Sequence, residues 1–344
     1  MIVFKRLFFC ILCVSIVFAC KEKRQPLIGK EYTGVFLGKP YVISVVGDTT
    51  NYRFQIDSII GIAEYAFNVA DSNSVLARFN RFKETNQAFV FRDSAMFFGL
   101  VFDLAKDLSN KAGQFYDPTT NPIKKEWMVI QFNRSALEPN LDSLFKFVGF
   151  HNSVVDLNEV YDENQIYTQS ILRKSDPRVE LDLNNFALAY GLQCIADFFR
   201  SKGLAHYHIH CENYTFNHGA LLDSLTQVPF GLTNDVNDQK IRLLDGAFVY
   251  KTPLQKQSML DPTYGYPVDN EIVYVGVVSK SLAESEVYSE SFMIMGYEQC
   301  GSWYEQNPDA NVQSFVWFKN GDTLRSASTE GFDQMIIVPE VPNE

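Results

Sequence analysis

Apolar and polar positions follow several distinct rhythms along the chain. Leu7 to Phe18 is an apolar run of about a dozen residues, with Lys5 and Arg6 before it and the polar stretch Lys21-Glu22-Lys23-Arg24-Gln25 after it. A bilayer span needs roughly twenty apolar residues, so this run is too short to cross and instead fits the core of a signal peptide. Tyr32–Leu37 and Tyr41–Val46 flank Gly38-Lys39-Pro40 and predict a hairpin. Ile56, Ile59, Ile60, Ala63, Phe67 and Ala70 recur at helical spacing. Asp93 to Lys111 predicts a second helix, with Asp93 as its cap, Phe97, Leu100, Val101, Leu104 and Leu108 on one face, and Gly113 beyond its end. Asn184 to Ser201 predicts a third, with Leu188, Leu192, Ile195 and Phe199 aligned. His206–Cys211, Ile241–Leu244, Val273–Val278, Val312–Phe318 and Met335–Val338 read as strands, and Ser285–Met295 as a buried helix. Strands and helices intermingle without strict βαβ alternation. The expected class is therefore α+β, one domain of mixed or antiparallel sheets with packed helices.

The apolar run ends Val17-Phe18-Ala19-Cys20. A small residue just before a cysteine at such a point resembles the pattern cut by lipoprotein signal peptidase, and the Cys20 thiol would carry a diacylglycerol. The expected organisation is a signal in residues 1–19, a lipidated cysteine and tether in 20–31, and one domain over 32–340. The protein would sit in a bacterial cell envelope, tied by lipid to a membrane and facing the periplasm or the exterior. Removal of the signal leaves about 325 residues, enough for one large domain or two small ones. A net charge of −11 argues against nucleic acid as a partner, and against holding an anionic membrane by charge alone. Cys194, Cys211 and Cys300 remain in the mature chain, fit no metal spacing, and read as small buried residues with at most one disulfide. His206, His208 and His210 alternate, so they share one strand face. The outer two are about 13 Å apart, too far to grip one zinc ion together.

Several segments carry candidate chemistry. In chain order they are Ser72-Asn73-Ser74-Val75-Leu76-Ala77-Arg78-Phe79-Asn80, Gly113-Gln114-Phe115-Tyr116-Asp117-Pro118-Thr119, Val148-Gly149-Phe150, Leu181-Asp182-Leu183, Asp261-Pro262-Thr263-Tyr264-Gly265-Tyr266-Pro267 and Phe292-Met293-Ile294-Met295-Gly296. Taken together, their order and spacing resemble the flavin transferases of the ApbE type, the FAD:protein FMN transferases, which are typically lipoproteins. The resemblance covers nearly the whole mature chain. It implies that FAD is bound in a cleft with Mg²⁺, and that a threonine hydroxyl of an acceptor flavoprotein attacks the phosphate next to the riboflavin. FMN becomes attached and AMP leaves. Such a phosphoryl transfer asks the protein mainly for positioning and charge neutralisation.

Carried over position by position, the resemblance makes Asn80, Asp117, Thr119, Tyr190, Asp261 and Gly265 candidate flavin or nucleotide contacts. Glu286, Glu290 and the carbonyl of Ala187 become candidate Mg²⁺ ligands, hard oxygens of the kind that ion prefers. Each has a plainer reading. Asp261 and Asp117 can simply start turns, Asn80 can end a helix, and Tyr190 and Ala187 can be packing residues. Glu286 and Glu290, at i and i+4 on one helical face, can be a solvated acidic surface together with Glu284. The sequence also departs from the family. Leu188 stands at the position of its central lysine, Glu212-Asn213-Tyr214 at its Gly-Gly-Asp turn, Tyr250-Lys251-Thr252 near its Thr-Ser-Gly, and Ser258 at its histidine. Three functions follow: an FMN transferase; a catalytically degenerate envelope lipoprotein that holds a flavin, another ligand or a protein partner; or an unrelated lipoprotein such as a solute-binding protein.

Overall fold

The hairpin around Gly38 is the edge of a large sheet. The computed structural model describes residues 29–338 apart from 85–86, 94–95, 134–136, 220–222 and 232–238. The signal run, Cys20 and the chain beyond residue 338 lie outside the described residues. β1 (Gly29–Phe36) pairs antiparallel with β2 (Lys39–Val46), from Gly29↔Val46 to Phe36↔Lys39. Gly29 to Glu31 therefore belong to the sheet rather than to the tether.

β3 (Phe89–Phe91), β4 (Val155–Tyr161) and β5 (Tyr167–Lys174) form a small antiparallel sheet in the order β3-β5-β4. β6 (Tyr207–Cys211) and β7 (Tyr214–His218) follow, then a separate two-stranded piece, β8 (Gln227–Pro229) and β9 (Lys240–Arg242). β10 (Asp245–Lys251), β11 (Ile272–Ser279), β12 (Gln313–Asn320) and β13 (Thr323–Ser328) complete the large sheet. Its order is β1-β2-β6-β7-β10-β11-β12-β13, antiparallel throughout. The longer helices are α1 (Arg53–Phe67), α2 (Val75–Arg81), α3 (Phe97–Lys111), α4 (Asn121–Phe132), α5 (Asn184–Ser201), α6 (Leu282–Met295) and α7 (Tyr297–Gln306).

Residues that alternate along β10 serve two cores. Ala247 and Val249 face the main core with α5 and α6, whereas Phe248 joins a smaller core with Phe230, Ile241, Tyr274, Phe315 and Phe332 on the other side of the sheet. α6 is buried on every side, its serines and Glu286 included. A helix enclosed all round belongs to the centre of a domain, and this one packs against β10, β11 and α5.

Two expectations need correction. α3 starts at Phe97 rather than Asp93, although Asp93 still caps it from a distance, accepting from the Gly99 amide at 3.0 Å. Met335–Val338 is not a strand: backbone bonds from Met335 to Phe332 and from Ile336 to Asp333 make a turn, leaving one bridge between Ile336 and Ile241. Cys194, Cys211 and Cys300 are all free thiols, so none of them joins a disulfide. The histidine row is a polar sheet face, with His208 Nδ1 2.6 Å from Asn217 Oδ1 and His210 Nδ1 3.2 Å from Thr215 Oγ1.

The approach of α5 to β1 depends on Gly191. A Cβ there would lie 2.5 Å from Cζ of the fully buried Phe36. Gly191→Ala is expected to destabilise the fold by about 1–3 kcal/mol through overpacking. Urea unfolding would show a lower midpoint at unchanged slope.

Candidate functional site

Inward-facing positions of β10 are the odd-numbered ones, and the last of them is a lysine. Successive strand residues point to opposite faces, so Lys251 continues the row of Ala247 and Val249 into the main core. The strand end is held by Asn213, whose side-chain amide donates to the Tyr250 carbonyl at 2.9 Å while its backbone carbonyl accepts from the Tyr250 amide at 3.3 Å. Lys251 is 2% exposed in its side chain and meets Glu286 of α6, which is 0% exposed. The Lys251 ammonium donates to both carboxylate oxygens at 2.7 Å. Tyr214 is buried near Glu286, and burial first, then the charge of Glu286, drives the pKa of its hydroxyl well up.

Glu290, one turn further along α6, opens into a cavity of about 170 Å³. The charged groups around that cavity are Asp117, Lys124, Asp182, Lys251 and Glu290, and Tyr116, Asn185, Gln255, Ser258 and Met259 complete most of its wall. Lys124 lies 3.7 Å from Asp182 at the partly exposed rim, a contact worth little in such a setting. Lys251 is already paired, so three carboxylates face one available lysine. Burial pushes the Glu290 carboxyl up, Lys251 and Lys124 pull it down, and Glu286 and Asp182 push it up again; the net direction is upward. Glu290 has no hydrogen-bond partner among the described residues, and its raised pKa makes it a stronger proton acceptor than an ordinary carboxylate. The volume is below the roughly 300–1,000 Å³ of ordinary ligand pockets, so the cavity fits the reacting part of a large ligand and not all of it. A second cavity of about 400 Å³, with Lys83, Lys125 and Arg178 in its wall, borders the same helix α4.

Of the candidate residues named from sequence, Asp117 and Glu290 reach the cavity, and Glu286 lies beneath it. The others build its frame. Asp117 accepts from the Thr119 amide and hydroxyl and, through Oδ2, from the Phe150 amide at 3.0 Å. The Thr119 hydroxyl accepts in turn from the Gly149 amide at 2.8 Å and is fully buried. The Asn80 side chain binds both backbone groups of Leu181, at 2.8 and 2.9 Å, which fixes the neighbouring Asp182. Asp261 caps its own turn through the Thr263 amide. Gly265, at φ +74°, accepts from the Trp127 indole at 2.8 Å, and a Cβ there would strike Leu141 at 2.8 Å. Tyr190 packs edge-on against Phe97, and Ala187 is buried in the core.

Sequence reasoning missed Lys251, Lys124, Asp182 and Tyr116 as site residues. The signal for Lys251 was available in principle, as a charged residue on the inward beat of a strand, but residues 245–251 were not read as a strand. The predicted acidic surface at Glu286 is overturned, since that carboxylate is buried. The metal set fares no better: both Glu286 oxygens are taken by Lys251. No group of three or more His, Cys, Asp or Glu side chains able to hold a metal occurs among the described residues. Glu286, Glu290 and Ala187 as they stand do not fit a divalent ion.

This architecture is shared with known proteins. The flavin transferase ApbE of Vibrio cholerae superposes with a TM-score of 0.72 at 20% identity, over 90% of this chain and 100% of that one. The apo form of the flavinyl transferase ApbE of Pseudomonas stutzeri gives 0.71 at 18% identity, over 91% and 98%. In sequence, the FAD:protein FMN transferase of Vibrio cholerae serotype O1 is 20% identical over 326 residues, covering 89% of this chain and 90% of that protein. The model of the ApbE family matches residues 37–220. The chain belongs to the ApbE family.

Two tests follow from the site. A carboxyl whose folded pKa lies above its ordinary 4.5 contributes stability below that value and loses it as pH rises through the folded pKa. Glu290→Gln is therefore expected to unfold at higher urea than the parent at pH 8, with the gap shrinking towards pH 4. Asn80→Ala strips two buried backbone groups of their partners and is expected to cost about 1–3 kcal/mol, seen in the same urea assay.

Proposed function

We propose that this chain transfers FMN from FAD to a hydroxyl, by family resemblance a threonine, of an acceptor flavoprotein. The observation that carries the reading is the cavity where two motif segments, Gly113–Thr119 and Leu181–Leu183, meet around Glu290. An oxygen of the acceptor attacks the phosphorus next to riboflavin, the bond to AMP breaks, and AMP leaves. The hydroxyl proton passes to Glu290, unpaired and raised in pKa. Lys124 supplies positive charge at the rim. Phosphoryl transfer rests on such positioning and electrostatics, and no step here passes through a metal ion.

A second reading is favoured by a specific observation. Lys251 closes Glu286, and Leu188 stands where the family has its lysine, so the cavity can hold part of a flavin dinucleotide without turning it over. One experiment separates the two. The full chain in detergent, given FAD and threonine-bearing acceptor proteins, is expected to release AMP in step with covalent flavin fluorescence on the acceptor. Glu290→Gln should lower that rate by about 10²–10⁴. Calorimetric FAD binding with no AMP from any acceptor would favour the holding role instead.

The N-terminal pattern supports export and lipid attachment through Cys20, which would place this reaction in the cell envelope. Metabolic labelling with a fatty acid is expected to mark the parent chain and to be lost in Cys20→Ser. Labelling that survives the substitution would remove the anchor from the proposal.

A further inference from the structure

The acids of α6 already have a cation, and the chain supplies it. Lys251 is nearly fully buried, and its ammonium bonds both oxygens of a fully buried carboxylate. Glu290 stands one turn along the same helix face with no partner of its own. A divalent ion bound to Glu286 would have to share that carboxylate with an ammonium only one bond length away. Like charges at that distance repel strongly in a dry interior, so ammonium and metal are mutually exclusive at Glu286.

We propose that Lys251 is the resident cation of this pocket, supplying the positive charge that Glu286 and Glu290 would otherwise draw from a divalent ion, and that the pocket takes its ligand without divalent metal. The inference deepens the reading of the same site as a flavin pocket, but it concerns charge balance in the protein alone. Three features converge on it. The inward beat of β10 aims Lys251 at α6. The Asn213 bonds fix the strand end that carries it. The remaining charged groups at the cavity, Asp117, Asp182 and Lys124, lie towards the rim and leave the Glu286 oxygens to Lys251.

The test uses the full chain in detergent with no flavin present, so its outcome is independent of whether FMN is transferred. The parent protein is expected to show no shift in melting temperature with millimolar MgCl₂, MnCl₂ or EDTA, and no heat on titration with Mg²⁺. Lys251→Met frees Glu286 beside Glu290, two hard-oxygen ligands one turn apart. This variant is expected to melt lower than the parent in EDTA and to regain on the order of a few degrees with Mn²⁺. Lys251→Met combined with Glu286→Gln is expected to lose that response. If Lys251→Met fails to fold, Lys251→Gln, which keeps a donor towards Glu286 but removes the charge, carries the same expectation. Stoichiometric Mg²⁺ binding by the parent that Glu290→Gln abolishes would overturn the proposal, as would a folded lysine variant indifferent to Mn²⁺.

Discussion

The contact between Lys251 and Glu286 joins the two halves of the structure that matter for the site, the end of β10 and the middle of α6. Its energetics explain why it acts as a constraint more than as a source of stability. Two charges taken out of water gain little net free energy from each other, but removing either one alone leaves a bare buried charge at a cost of about 3–5 kcal/mol. The pair therefore fixes how far along α6 the strand end must fall. That placement sends Glu290, four residues on, into the cavity. Bonds at the two ends of the helix, from the Leu282 amide to Gln193 and from Asn270 to the Met293 and Ile294 carbonyls, hold the same placement.

Around that pair, the recognisable motif pieces act mostly as masonry. Asn80 clasps Leu181, Asp117 clasps Phe150, Thr119 clasps Gly149, and the Gly265 carbonyl holds Trp127. Each contact ties one segment to another far away in sequence, and each uses a polar group that would be costly to bury unpaired. The loop segments of the cavity wall are thereby tied to the helices and the strand end that complete it. The same spacing that suggests ligand contacts in the sequence equally specifies this frame, because a ligand cradle and its scaffold need the same turns.

What could be read from the sequence was local. The β1–β2 hairpin, α1, α5 and α6 all show in the periodicity, and each lies within a residue or a few of its expected bounds. What escaped was set by partners distant in the chain. Glu286 and Glu290 share a helical face by spacing alone, but spacing cannot say whether that face meets water, an ion or a lysine 35 residues away. β4 and β5 carry too mixed a pattern to stand out, since one face of their sheet is partly exposed. β10 was hidden because its alternation serves two apolar cores, so it reads as a nearly continuous apolar run with a charge at its end.

That terminal charge also decides how the cavity behaves electrically. With Glu286 neutralised from within, the field at the cavity comes from Glu290, Asp182 and Asp117 against Lys124, and burial makes Glu290 more reluctant to ionise than an ordinary carboxyl. A reluctant carboxylate is a better proton acceptor than a fully solvated one once a hydroxyl is brought beside it, because its affinity for the proton lies nearer to neutrality. A phosphate arriving alone would meet three carboxyl side chains against one lysine at the rim. A phosphate-bearing ligand must therefore bring much of its binding free energy from outside this cavity, from surfaces such as the larger hollow beside α4, where Lys83, Lys125 and Arg178 stand with Glu126 and Glu180. The small acidic chamber is suited to chemistry on a ligand that is anchored elsewhere, and not to anchoring it.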